Sequence, residues 1–91
     1  MNWVVIETKK VVKTLDKLPK NIQSAYSYWR HLVIANGVNK LREIKSFHFE
    51  KLKGNKQGQY SCRLSKSYRV FFEINKREIK IIVVEVNKHE Y

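Results

Sequence analysis

The sequence predicts an α+β domain: an N-terminal strand, a helical hairpin, then a mainly antiparallel sheet of three further strands. Three observations predict it. Apolar residues recur every three or four positions between about Thr8 and Val33, the spacing falls to two from about Tyr60, and Ile79–Val86 is apolar at nearly every position. A period near 3.6 buries one stripe of a helix, and a period of two buries one face of a strand.

Trp3-Val4-Val5-Ile6-Glu7 is short and β-branched, and is read as the first strand. Val11, Val12, Leu15 and Leu18 then fall at helical spacing. Pro19, the only proline, either stops that helix or sits in the first turn of the next. Ile22, Ala25, Tyr26, Trp29, Leu32 and Val33 form a second apolar stripe, which ends at the C-cap signal Asn36-Gly37. Val38, Leu41 and Ile44 mark a short helical turn from Val38 to Lys45.

Beyond it, Tyr60, Cys62 and Leu64 alternate with Ser61 and Arg63. Ser65-Lys66-Ser67 is read as a tight turn. After the turn Tyr68, Val70, Phe72 and Ile74 share one face, with Arg69, Phe71 and Glu73 on the other. Asn75-Lys76-Arg77 turns again, and the two-sided apolar run that follows is expected to be a central strand covered on both sides.

The 91 residues are expected to form one domain, residues 1–91, with no repeat or linker. A chain of this size buries roughly 60–65% of its unfolded surface, so the core is small. No apolar run approaches the ~18 residues a membrane span needs, and the first residues carry no basic leader. A lone cysteine, Cys62, excludes a disulfide scaffold and points to a reducing cytoplasm. Three scattered histidines offer no metal spacing, and no metal or small-molecule cofactor is expected.

The net charge is +11, from 19 Lys and Arg against 8 Asp and Glu. Residues 1–39 contribute +4, residues 40–80 contribute +8 and the last eleven contribute −1. Such self-repulsion costs stability and calls for an anionic partner, of which nucleic acid is the commonest. If the apolar residues of the hairpin face the helices, the opposite face carries Ser61, Arg63, Arg69 and Phe71. Arginine grips phosphate with a planar fork, and an exposed ring stacks an unpaired base. By their own residues alone, Glu50 reads as a local counter-ion and the tail Asn87-Lys88-His89-Glu90-Tyr91 as a frayed end.

Glu50-Lys51-Leu52-Lys53-Gly54, Gly58-Gln59-Tyr60-Ser61-Cys62-Arg63-Leu64, Tyr68-Arg69-Val70 and the closing His89-Glu90-Tyr91 together resemble the RelE/ParE superfamily. The closing His-x-Tyr is most similar to the YoeB/HigB/RelE branch, the mRNA interferase toxins of type II toxin–antitoxin modules. The resemblance implies a RelE-like fold and a ribosome-dependent endoribonuclease that uses no metal. In that chemistry the ribose 2′-OH attacks the adjacent phosphate, leaving a 2′,3′-cyclic phosphate and a 5′-OH.

By matched motif positions, Glu50 is then the candidate base, and Arg63 and Arg69 hold the phosphate. His89 is the candidate acid, and Tyr91 orients or stacks. Because Glu90 separates His89 from Tyr91, which of the two reaches the phosphate stays open. Lys51 and Lys53, with Ser61 and Phe71 on the sheet face, would bind RNA. The implied partners are a cognate antitoxin, acidic and partly disordered, and the ribosome with its mRNA; no membrane is involved. The alternative is a ParE-like inhibitor of DNA gyrase that cuts nothing.

Overall fold

The order of elements in the computed structural model, which describes residues 2–88, follows the periodicity closely. Strand β1 (Val4–Glu7) leads into helix α1 (Lys9–Lys17), helix α2 (Lys20–Asn36) and the short helix α3 (Val38–Glu43). Strands β2 (Glu50–Lys51), β3 (Tyr60–Arg63), β4 (Tyr68–Asn75) and β5 (Lys80–Lys88) follow, with single 3-10 turns at Lys45–Phe47 and Gly54–Lys56.

Local chemistry sets the helix ends. Thr8 Oγ1 accepts from the Val11 amide at 3.3 Å and starts α1. Pro19 opens α2, its carbonyl accepting from the Ile22 and Gln23 amides at 3.0 Å. The Gln23 side-chain amide donates to the carbonyls of Leu15 and Leu18, at 3.0 and 3.1 Å, and so closes the end of α1 against the start of α2. Gly37 separates α2 from α3 with φ +81°, and a Cβ there would lie 2.6 Å from Nε1 of Trp3.

The sheet has five strands in the order β1-β5-β4-β3-β2. Strand β1 runs parallel to β5, and the other neighbours are antiparallel. The sheet therefore holds one strand more than the four expected. Two residues, Glu50 and Lys51, are too few to show alternation, so β2 is set by its pairing with Ser61 and Tyr60 rather than by a pattern of its own.

Beneath the sheet, Trp29 of α2 packs on Phe72 of β4 with ring centroids 5.2 Å apart, and both are fully buried. Val11, Val33, Leu41, Cys62, Val70, Ile81 and Val83 fill the rest of this core. Burial pushes the Cys62 thiol up to about 12, so it stays protonated and unreactive. On α2 the Tyr26 hydroxyl donates to Glu7 Oε2 at 2.5 Å, and Arg30 Nε lies 3.5 Å from the same oxygen. These two contacts fasten α2 to the end of β1. Burial and the neighbouring carboxylate both raise the pKa of the Tyr26 hydroxyl.

Strand β5 is an interior strand, between β1 and β4, rather than the middle one, and only one of its faces is fully covered. Phe71 pairs with Glu85 and Phe72 with Val83, so Val84 is an extra residue in β5. This bulge lets Ile81, Val83 and Val86 all face the helices, while Ile82 and Val84 remain half-buried.

The expectation of an open outer face at Ser61 and Phe71 is also corrected. Both are buried, at 1% and 8% exposure. The chain's own Lys56, from the 3-10 turn after β2, sits with Nζ 4.8 Å from the Phe71 ring centre and 3.6 Å from Glu85 Oε1. Strand alternation correctly turned these two side chains away from the helices, but it carried no information about the loop that folds over them.

Two stability predictions follow from these contacts. Gly37→Ala forces a side chain into a backbone region that favours glycine and onto the Trp3 indole, so a loss of about 2 kcal/mol is expected in urea unfolding. Phe71→Ala is expected to cost about 3 kcal/mol in the same measurement, as a core ring does and an exposed ring does not.

Candidate active site

The β3–β4 hairpin positions the site. Its turn is tied by Ser65, whose Oγ accepts from the Ser67 and Tyr68 amides at 3.1 Å each, while the Leu64 amide donates to the Tyr68 carbonyl at 2.9 Å. With the turn fixed, the register is fixed, and Arg63 stands directly opposite Arg69. Side chains paired in this way have Cβ atoms about 5 Å apart, and like charges so placed repel. An anion between or above the two guanidiniums relieves that repulsion.

One anion is already there. Glu50 Oε2, on the short strand β2, lies 3.3 Å from Arg69 Nη1 and accepts its hydrogen bond across β3. The Arg69 side chain is only 14% exposed and Glu50 is 45% exposed, so the carboxylate holds a guanidinium that is largely withdrawn from water. One carboxylate cannot balance both arginines.

On the far side of Arg69 its register partner is Asn87 of β5. The Asn87 amide donates to Glu85, which in turn pairs with Lys56. Lys56, Glu85 and Asn87 thus form a second polar chain along the edge of the site. Sequence reasoning missed all three. The bulge at Val84 puts β5 out of simple alternation, and Lys56 sits in a loop with no period.

The structure therefore brings together Glu50, Arg63 and Arg69, three of the residues singled out from the sequence. Lys51 and Lys53 are exposed beside them, on β2 and just after it. Ser61, the register partner of both Glu50 and Phe71, is buried under the site, and the Phe71 ring lies beneath Lys56 with no free face for a base. His89 and Tyr91 lie outside the described residues. Among the described residues no cluster of His, Cys, Asp or Glu could hold a metal ion, and no helix is long and apolar enough to cross a membrane. Chemically, the cluster can grip a tetrahedral or trigonal-bipyramidal oxyanion with two forks, and it carries one carboxylate able to accept a proton.

Comparison with known proteins bears on the same stretch of chain. A model of the family described as the RelE-like toxin of type II toxin–antitoxin system HigB matches residues 10–89. No curated protein sequence matches. Among solved structures, a chain of the archaeal RelE–RelB complex from Pyrococcus horikoshii is 27% identical, with a TM-score of 0.75 over 97% of this chain and 96% of that one. A chain of the YoeB–YefM complex from Staphylococcus aureus is 17% identical at a TM-score of 0.73, covering 99% and 100% of the two chains. YafQ from Escherichia coli is 12% identical at a TM-score of 0.74, covering 97% and 94%. At those identities the last two show the shared fold alone. The family match spans both the helical hairpin and every residue of the described cluster, and the chain belongs to the HigB family of RelE-like toxins of type II toxin–antitoxin systems.

Proposed function

We propose that this toxin is an endoribonuclease that cuts mRNA on the ribosome and is neutralised by a cognate antitoxin in the bacterial cytoplasm. The observation that carries the reading is the facing pair Arg63 and Arg69 with Glu50 on Arg69. The complexes RelE–RelB and YoeB–YefM among the structural neighbours support an antitoxin partner. A net charge of +11 suits both an acidic partner and ribosomal RNA.

In this reading the scissile phosphate displaces the Glu50 carboxylate from Arg69. Binding then both seats the phosphate between the two forks and releases Glu50 to work as a base. Glu50 takes the proton of the ribose 2′-OH while the 2′-oxygen bonds to phosphorus. The two guanidiniums hold the phosphorane oxygens, where charge develops. As the bond to the 5′-oxygen breaks, His89 supplies the proton that oxygen needs, and Tyr91 orients the nucleotide. Base, acid and charge stabilisation thus come from side chains. Lys51 and Lys53 hold message or ribosomal RNA through its phosphates.

The test is inducible expression with mapping of message 5′ ends. New 5′-OH ends inside translated codons are expected. Arg69→Ala, which removes one fork, should lower the cleavage rate by about 10²–10³-fold, and His89→Ala should also abolish the new ends. Intact message accompanied by an SOS response would overturn the reading in favour of gyrase inhibition. Purified protein without ribosomes is expected to cut free RNA only slowly; fast cutting would show that the ribosome is not needed.

A further inference from the structure

We propose that the groove between α2 and the β3–β4 turn is a subsite for one unpaired nucleotide base, with Tyr28 as the ring on which that base stacks. The subsite rests on the cleavage reading, because it serves a nucleotide next to the phosphate at Arg63.

The sequence offered Phe71 as the stacking ring, and the structure buries it. Among the described residues Tyr28 is the only exposed Phe, Tyr or Trp side chain, at 59%. A residue that exposed on α2 has no core role that requires a ring. Its position is nonetheless held, since the Tyr28 and Phe47 rings lie 6.3 Å apart at 47° and Phe47 is buried. A tilted contact of this kind anchors one side of the ring and leaves the other open.

Tyr28 stands at the wall of a groove of about 380 Å³, within the range of about 300–1,000 Å³ seen for small-ligand pockets. Ser46 and Phe47 line one side, and Arg63, Ser65 and Lys66 the other. The lining joins two cations, three hydroxyl-bearing residues and two rings to the apolar Ala25 and Leu64, with no carboxylate, which is the chemistry of a nucleotide site. An apolar peptide would find no use for the cations. The far wall is rigid, because Ser65 Oγ ties the turn through the Ser67 and Tyr68 amides and Lys66 sits at its tip. Arg63, at the end of β3, lines this groove and is the register partner of Arg69, so the groove adjoins the phosphate position.

The experiment uses a single-stranded RNA with 2-aminopurine beside one 2′-deoxy residue at the cut site, so that it binds without being cut. Wild-type protein is expected to quench the probe, and Tyr28→Phe to match it in quenching and affinity. Tyr28→Ala and Tyr28→Leu should lose the quenching and bind about tenfold more weakly. The leucine variant keeps an apolar contact on Phe47, so it reports stacking even where the alanine variant fails to fold. Unchanged quenching and affinity in Tyr28→Leu overturn the subsite. Wild-type protein that cuts message in cells but leaves the probe unquenched overturns the subsite alone. Message left whole in those cells overturns the cleavage reading, whatever the probe reports.

Discussion

Two positive charges face each other across one hairpin, and much of the molecule is arranged to keep them there. The repulsion between Arg63 and Arg69 is resisted by what lies beneath and beside them. Phe72 and Val70 anchor β4 into the aromatic core through Trp29, the Ser65 turn fixes the register, and β2 delivers a single carboxylate to one of the two cations. A slip of one residue in this register would turn one of the two arginines, with the rest of its strand, toward the opposite face, so the stability of the core and the competence of the site are the same constraint.

The fold was largely legible in the sequence because its elements are long enough to show a period. The stripe from Ile22 to Val33 can only be a helix, and the alternation from Tyr68 to Ile74 can only be a strand. Arg63 and Arg69 were legible for the same reason. What stayed hidden is what has no period: the two-residue strand β2, the bulge at Val84, and the loop that carries Lys56 onto Phe71. Alternation tells which way a side chain points and is silent on what covers it. Ser61 and Phe71 were therefore assigned to the right face and the wrong environment, while Glu85 and Asn87 went unread behind the bulge. Glu50 reached the site through resemblance alone, and its contact with Arg69 could not be read from spacing.

The ion pair at Glu50 also explains how a chain with so much positive charge holds its most concentrated cations in one place. Most of the lysines lie on exposed positions, where water screens them. Arg69 is largely withdrawn from water and has a carboxylate within hydrogen-bonding reach, as a buried cation must. The same carboxylate is a weak rival to a phosphate, which brings more charge and more oxygen atoms to the same fork.

The pairing of β1 with β5 has a temporal side. Val4 finds its partner at Lys80, so the sheet's first strand in chain order pairs with its last. At translation speeds of about 5–20 residues per second, β1 waits roughly four to fifteen seconds for its neighbour. Throughout that interval the exposed Val4 and Ile6 and the helical hairpin are present with no completed sheet. The arginine hairpin is likewise without its neighbour β5 until residues 80–88 have been made. Topology alone thus acts as a delay, setting the earliest moment at which the nascent chain assembles its cationic cluster.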